Sequence, residues 1–213
     1  MKKLFVTINL GPSVDDAVPY RIPSSWDKVS FTDKPHLYPE FKCIGVSADG
    51  YPDAIVAKQI KWNLAEIYSN YDVIVYADRN IAVGNLDKQL DQIDFDAYDM
   101  ALIEHRSSFS IEDEIELCRR CNRWSNHMME WVKMASCYGV DITEKRPMYA
   151  NGIMIFKPTD LVRDIHGRVS RAMQYITRDQ IVFPMLNEIK PIPIQGMEWS
   201  TFNNSIFKIN TIH

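Results

Sequence analysis

The chain has 213 residues, of which 46% are hydrophobic and 24% charged, with a formal net charge of -4. That balance supports a well-buried core and excludes a disordered, collagen-like or low-complexity chain, because the 8 glycines and 11 prolines are scattered. No run of eighteen apolar residues occurs, so no membrane-spanning helix is predicted, and the acidic balance argues against nucleic acid and anionic membranes as partners.

Lys2 and Lys3 precede an apolar run from Leu4 to Leu10. Thr7 and Asn9 interrupt it and no small-residue cleavage site follows, so it reads as a first buried strand and not as a signal peptide. The four sparse cysteines, Cys43, Cys118, Cys121 and Cys137, fit reduced thiols and a cytoplasmic chain. Gly11-Pro12 ends the strand, and a proline-rich loop runs to Pro23. Short strands follow over 28–33 and 43–47. Asp53 is placed to cap a helix that runs to Tyr68. By the helical period Ile55, Trp62, Ala65 and Tyr68 share one face, and Lys58 and Lys61 lie on another.

Val73-Ile74-Val75-Tyr76-Ala77 is a continuous apolar run, the pattern of a strand covered on both faces. Asp78-Arg79-Asn80 closes it. A short helix over 87–93 and a strand over 98–103 come next, the strand ending at Glu104-His105-Arg106. Ser110 with Asp113 three positions on marks the start of a helix predicted to reach Cys137. A strand over 151–156, a helix from Thr159 or Asp160 to Thr177, and a further helix from Arg178 to Glu188 complete the pattern. Residues 190–213 read as a tail or lid. Strands alternating with helices predict an α/β fold with a largely parallel sheet, in one domain over residues 1–213.

Open α/β sheets bind ligands outside the carboxyl ends of their strands. The predicted strand ends carry Asp33, Asp78 with Asn80, and His105 with Arg106, and Asn151 belongs with them. Asp78 and Asn80, at i and i+2, can both reach a hard cation that bridges to a substrate diphosphate. Lys58 and Lys61 are point charges suited to the same phosphates. Taken singly, each of these groups also fits a solvated turn, a helix cap or an ordinary helix face. Cys118 and Cys121 have a zinc-like spacing but no second ligand pair, so two buried helical thiols are expected. Trp62, Trp124 and Trp131 sit in helical periods and suit the core; Trp199, in the tail, is the candidate for stacking on a sugar.

Several of these segments, in order, resemble a known family. Ala57-Lys58-Gln59-Ile60-Lys61 followed by Tyr71-Asp72-Val73-Ile74-Val75-Tyr76-Ala77-Asp78-Arg79-Asn80 is similar to the core of the TOD1/MUCI70 glycosyltransferase-like family. So are Glu104-His105-Arg106 with Ile111-Glu112-Asp113-Glu114 and Cys118, then Asn151-Gly152-Ile153-Met154-Ile155, then Arg178-Asp179-Gln180 with Phe183. The resemblance spans roughly residues 50 to 190 and implies a GT-A glycosyltransferase that uses a nucleotide-sugar donor and a divalent cation, Mn²⁺ or Mg²⁺. It implies that Asp33 contacts the nucleoside, that Asp78 and Asn80 hold the metal, diphosphate or ribose, and that Asp179 faces the sugar or acceptor. Arg79 stands where the family has a small residue, and its guanidinium can pair with a diphosphate. His105, Asn151 and Arg178 complete the expected donor-binding set. An inverting reaction would draw its base from Asp179, Asp113 or Glu114. The acceptor is a glycan, a small molecule or a modified base. Two alternatives are a nucleotidyltransferase, which Asp15 and Asp16 after Gly11-Pro12-Ser13 argue against, and an inactive nucleotide-sugar-binding module.

Overall fold

The computed structural model describes residues 1–11, 21–47, 49–84, 86–121, 126–176, 178–198 and 207–209. Seven strands form the main sheet: β1 (Lys3–Asn9), β2 (Asp27–Thr32), β3 (Lys42–Ile44), β4 (Val73–Ala77), β6 (Met100–Glu104), β7 (Tyr149–Phe156) and β8 (Ile194–Met197). Their order is β3-β2-β1-β4-β7-β6-β8. β7 runs antiparallel to both neighbours, and all the other pairings are parallel. β5 (Ile81–Val83) and β9 (Phe207–Ile209) pair antiparallel in a separate ribbon. The helices are α1 (Asp53–Lys61), α2 (Leu64–Ile67), α3 (Leu86–Leu90), α4 (Ile111–Arg120), α5 (Asn126–Cys137), α6 (Asp160–Ala172) and α7 (Asp179–Ile189). The mostly parallel α/β sheet expected from the alternating pattern is what the chain builds.

The two-residue period of the strands sorts the core onto two faces. Leu4, Val6, Ile74, Leu102, Met154 and Phe156 pack in one cluster with Leu64, Val162, Ile165, Ile181 and Phe183 from α2, α6 and α7. Phe5, Val75, Ala101 and Ile155 pack in the other with Trp26, Leu86 and Leu90. Both faces are covered, which is why all five residues of β4 are buried. Each large apolar side chain so buried contributes about 1.5–3 kcal/mol.

The reversal of β7 positions the site. Its first residues lie where β4 and β6 end, with Ile153 opposite Ala77 and Tyr149 opposite Glu104. The ladder to β6 is irregular: Leu102 faces Met154, but Ile103 already faces Ala150. Asn151, Gly152 and Ile153 therefore bulge at the carboxyl rim, the kind of place where bulges re-aim functional side chains.

Some expectations need correcting. The helix expected from Asp53 to Tyr68 is two helices, interrupted at Trp62 and Asn63. The helix expected from Ser110 to Cys137 is also two, because α4 ends at Arg120 with Cys121 in a turn. Cys118 is buried but Cys121 is exposed, so the two are not a buried thiol pair. Of the expected tail, β8 joins the sheet edge beside β6 and β9 covers β5. Asp15, Asp16, Trp124, Thr177 and Trp199 lie outside the described residues. Among the described residues no helix is long and apolar enough to cross a membrane.

Candidate active site

Asp78 follows the last residue of β4 and is fixed from three sides. Its N–H donates to the Gly152 carbonyl at 2.8 Å. The Tyr76 hydroxyl, two residues earlier on the same strand face, donates to Oδ1 at 2.6 Å. A Cβ added at Gly152 would stand 3.1 Å from Oδ2, so only glycine lets the carboxylate rest this close to β7 without displacement. The Ile81 N–H returns to the Asp78 carbonyl at 2.9 Å and closes a turn with Arg79 and Asn80 at its corner. Arg79 pins that turn to the end of β1, donating to Asn9 Oδ1 at 2.9 Å and to the Leu10 carbonyl at 3.2 Å. Asn80 is half-buried.

Asp33 lies at the neighbouring strand end, exposed, and accepts from the Gly11 N–H at 3.3 Å. Gly11 has φ +87°, and a Cβ there would come 2.6 Å from Asp53 Oδ2. The ends of β1 and β2 and the start of α1 thus converge through a glycine that no L side chain could replace unstrained.

Asp179 opens α7 and is 0% exposed. Lys58 donates to its Oδ1. Lys61 donates to Oδ2 at 2.9 Å, and the Trp62 indole N–H donates to the same oxygen at 3.2 Å. Burial alone would raise this carboxyl, but the Lys58 and Lys61 ammoniums overcome it and hold Asp179 well below the usual carboxylate range. Lys61 is 2% exposed, with its ammonium on Asp179. Lys58 is partly exposed. Burial, with the neighbouring Lys61 charge, holds its ammonium below the ordinary lysine value, and Asp179 and then Asp78 offset only part of that. Lys58 thus stands within electrostatic reach of both aspartates.

Beside this group lies a second buried network. Glu114, 0% exposed, accepts from Arg178 Nε at 2.7 Å and from the Ser108 hydroxyl at 2.9 Å. His105 Nε2 lies 4.0 Å from its other side. The Ser107 and Ser108 N–H groups both point at His105 Nδ1, at 3.3 and 3.1 Å. That makes Nδ1 the acceptor and, in the neutral ring, leaves the proton on Nε2.

Of the sequence-selected residues, the structure brings together Lys58, Lys61, Asp78 and Asp179, with Asn151 beside Gly152. Asn151 is 1% exposed, and neither its amide nitrogen nor its oxygen has a hydrogen-bond partner among the described residues. His105, Glu114 and Arg178 form the adjoining network, in which Arg178 is a cation of Glu114. Asp113 accepts the Phe109 N–H at 2.9 Å while its own N–H donates to Ser110 Oγ, an exposed helix-capping arrangement. The three carboxylates expected to supply a base are therefore each engaged: Asp179 by ammoniums, Glu114 by a guanidinium, Asp113 by backbone. Sequence reasoning missed Tyr76 and Gly152, which set Asp78, and Trp62 as a donor. The i−2 spacing of Tyr76 was the available signal.

Mouse xyloside xylosyltransferase 1, in its apo form, has a similar fold, with a TM-score of 0.53 at 10% identity over 92% of this chain and 85% of that chain. The fold is GT-A-like. The apo WbbM bifunctional glycosyltransferase gives a TM-score of 0.47 at 12% identity over 88% of this chain, and this chain spans 40% of that one. No protein-family model and no curated protein matches the sequence. The likeness is one of fold, to a glycosyltransferase scaffold.

Proposed function

We propose that this protein is a glycosyltransferase that moves a sugar from a nucleotide-sugar donor to an acceptor hydroxyl on a glycan, a small molecule or a modified base. The observation that carries the reading is the placement of Asp78: at the carboxyl rim of the sheet, oriented by Tyr76 and Gly152, and within electrostatic reach of Lys58. The in-register motifs shared with the TOD1/MUCI70 family support it, as does the glycosyltransferase-like fold.

Glycosyl transfer develops positive charge on the sugar and negative charge on the departing diphosphate. Lys58 is the cation free enough to meet that diphosphate, and Asp179 holds it in position before the reaction, so little reorganisation is needed. Lys61 and Trp62 in turn fix Asp179. Among the described residues no group of three or more His, Cys, Asp and Glu is placed to hold a metal. Asp78 and Asn80 nonetheless fit a cation shared with substrate, because Mg²⁺ is commonly bound by one or two carboxylates plus phosphate oxygens. Such an ion would neutralise the leaving phosphate.

The test is calorimetry and donor hydrolysis across a panel of uridine, guanosine and thymidine diphosphate sugars, with and without Mn²⁺. The wild type is expected to bind and slowly hydrolyse at least one donor. Asp78→Asn is expected to weaken binding at least about tenfold, and Lys58→Met to slow turnover about a hundredfold. If the wild type neither binds nor hydrolyses any of these donors, the reading fails.

A further inference from the structure

Two strands from Asp78, the same rim carries a carboxylate that the chemistry above does not use. Glu104 ends β6, is exposed, and takes part in no hydrogen bond or ion pair among the described residues. It shares a face of the sheet with Leu102, whose cluster also contains Tyr76, so its side chain leaves on the face that carries Asp78. Its position is specific. A Cβ added at Gly196 of β8 would stand 2.1 Å from Glu104 Oε1 and 3.0 Å from Cδ, so the carboxylate lies directly against a bare backbone. Opposite Glu104 in the ladder is Tyr149, whose ring packs edge-on to Phe183 at 6.3 Å between centroids. Burial and then the Glu104 charge push the Tyr149 phenol up to about 12, so it remains a proton donor at neutral pH. Two residues further along β7 is Asn151, buried with both amide atoms unpartnered among the described residues.

A carboxylate without a partner, a protonated phenol and an unsatisfied amide on one pair of strands are what neighbouring hydroxyls require. The carboxylate accepts from two of them, the phenol donates, and the amide does both. The β4–β7–β6 order separates Asp78 from Glu104 by two strand spacings, about 10 Å. A pyranose attached to a phosphate held near Asp78 can cover that distance.

We infer that Glu104, seated over Gly196 and flanked by Tyr149 and Asn151, is a recognition site for vicinal hydroxyls of the transferred sugar. The inference rests on the nucleotide-sugar reading and adds to it the part of the rim that selects the sugar. Gly196 is a positioning residue, since its missing side chain sets where the carboxylate lies.

The experiment compares each nucleotide sugar of the panel with its free nucleoside diphosphate by calorimetry, in wild type, Glu104→Gln and Gly196→Ala. For the preferred donor, the wild type is expected to bind the nucleotide sugar more tightly than the diphosphate. Glu104→Gln is expected to cut that advantage about tenfold, the usual size for a hydrogen bond to a charged group. Gly196→Ala, which displaces only the mobile end of Glu104, is expected to act in the same direction. Diphosphate affinity should be unchanged in both variants, and donors deoxygenated at the recognised positions should lose the same advantage in wild type. If the wild type prefers no nucleotide sugar over its diphosphate, or if Glu104→Gln keeps the full advantage or weakens both ligands equally, the inference is overturned while the donor reading stands. If no nucleotide binds at all, both fall.

Discussion

Asp179 is surrounded by two ammoniums and an indole N–H in a place without solvent. Removing it leaves Lys61 charged and buried, so Asp179→Ala is expected to cost about 3–5 kcal/mol in urea unfolding, the usual size for breaking a buried pair. Adding Lys61→Met to that variant should restore much of the loss, a non-additivity that a double-mutant cycle reads directly. Because the folded carboxyl lies below its unfolded value, its contribution is complete at neutral pH. It is lost only as pH falls through and beneath the ordinary carboxylate range. His166 behaves differently. Its ring is buried between Trp62 and Phe156, at 5.0 and 4.7 Å, with neither nitrogen partnered among the described residues. Burial, with help from Lys61, pushes its imidazole down to about 3. The unfolded chain protonates this histidine below about 6.5 while the folded chain does not. Stability should therefore fall by about 1.4 kcal/mol per pH unit from about 6.5 towards 3. His166→Phe is expected to flatten that slope in urea titrations at stepped pH; an unchanged slope would assign the acid sensitivity elsewhere. At this scale the sequence showed which groups carry charge. It could not show who meets whom, because Lys58 and Asp179 lie 121 positions apart.

Strand ends were easier to read than helix interiors. β1, β4 and β6 stop close to where their apolar runs stop, because a buried strand must become polar where it leaves the core. Ser110 was recognisable as a cap, and its hydroxyl accepts the Asp113 N–H at 3.1 Å; Ser110→Ala is expected to cost about 1 kcal/mol by thermal or urea unfolding. The breaks after Lys61 and Arg120 were not legible, since apolar periodicity continues across both and no proline or glycine marks them. β5, three residues long, is too short to show any period. The element with the most influence on the site is the bulged start of β7. Gly152→Ala would place a Cβ 3.1 Å from both Asp78 Oδ2 and Ile81 Cδ1. This variant is expected to fold and to lose several-fold in donor affinity by calorimetry, because the nearest atoms must yield by a few tenths of an ångström and Asp78 is one of them. Unaltered affinity would mean that the exact seat of Asp78 is unimportant.

For the whole molecule, composition and alternation sufficed for an α/β class, and the ordered motifs pointed to a glycosyltransferase scaffold. The direction of β7 was not available from its pattern, because a strand buried on both faces reads the same either way. Direction depends on the connection between β6 and β7, which returns the chain to the same end of the sheet that β6 leaves, so that Tyr149 starts opposite Glu104. The sheet also implies a gradient of local stability. β4, at the centre and buried throughout, should keep its amides longest in hydrogen-exchange mass spectrometry, and the three-residue edge strand β3 should exchange early. Simultaneous exchange across the sheet would contradict that ordering.

The buried Lys61–Asp179 pair joins positions 118 residues apart. A chain that changed only one of them would pass through an intermediate carrying a naked charge in its interior, so the two positions can drift only together. In any lineage descended from this protein they should be inherited as a unit.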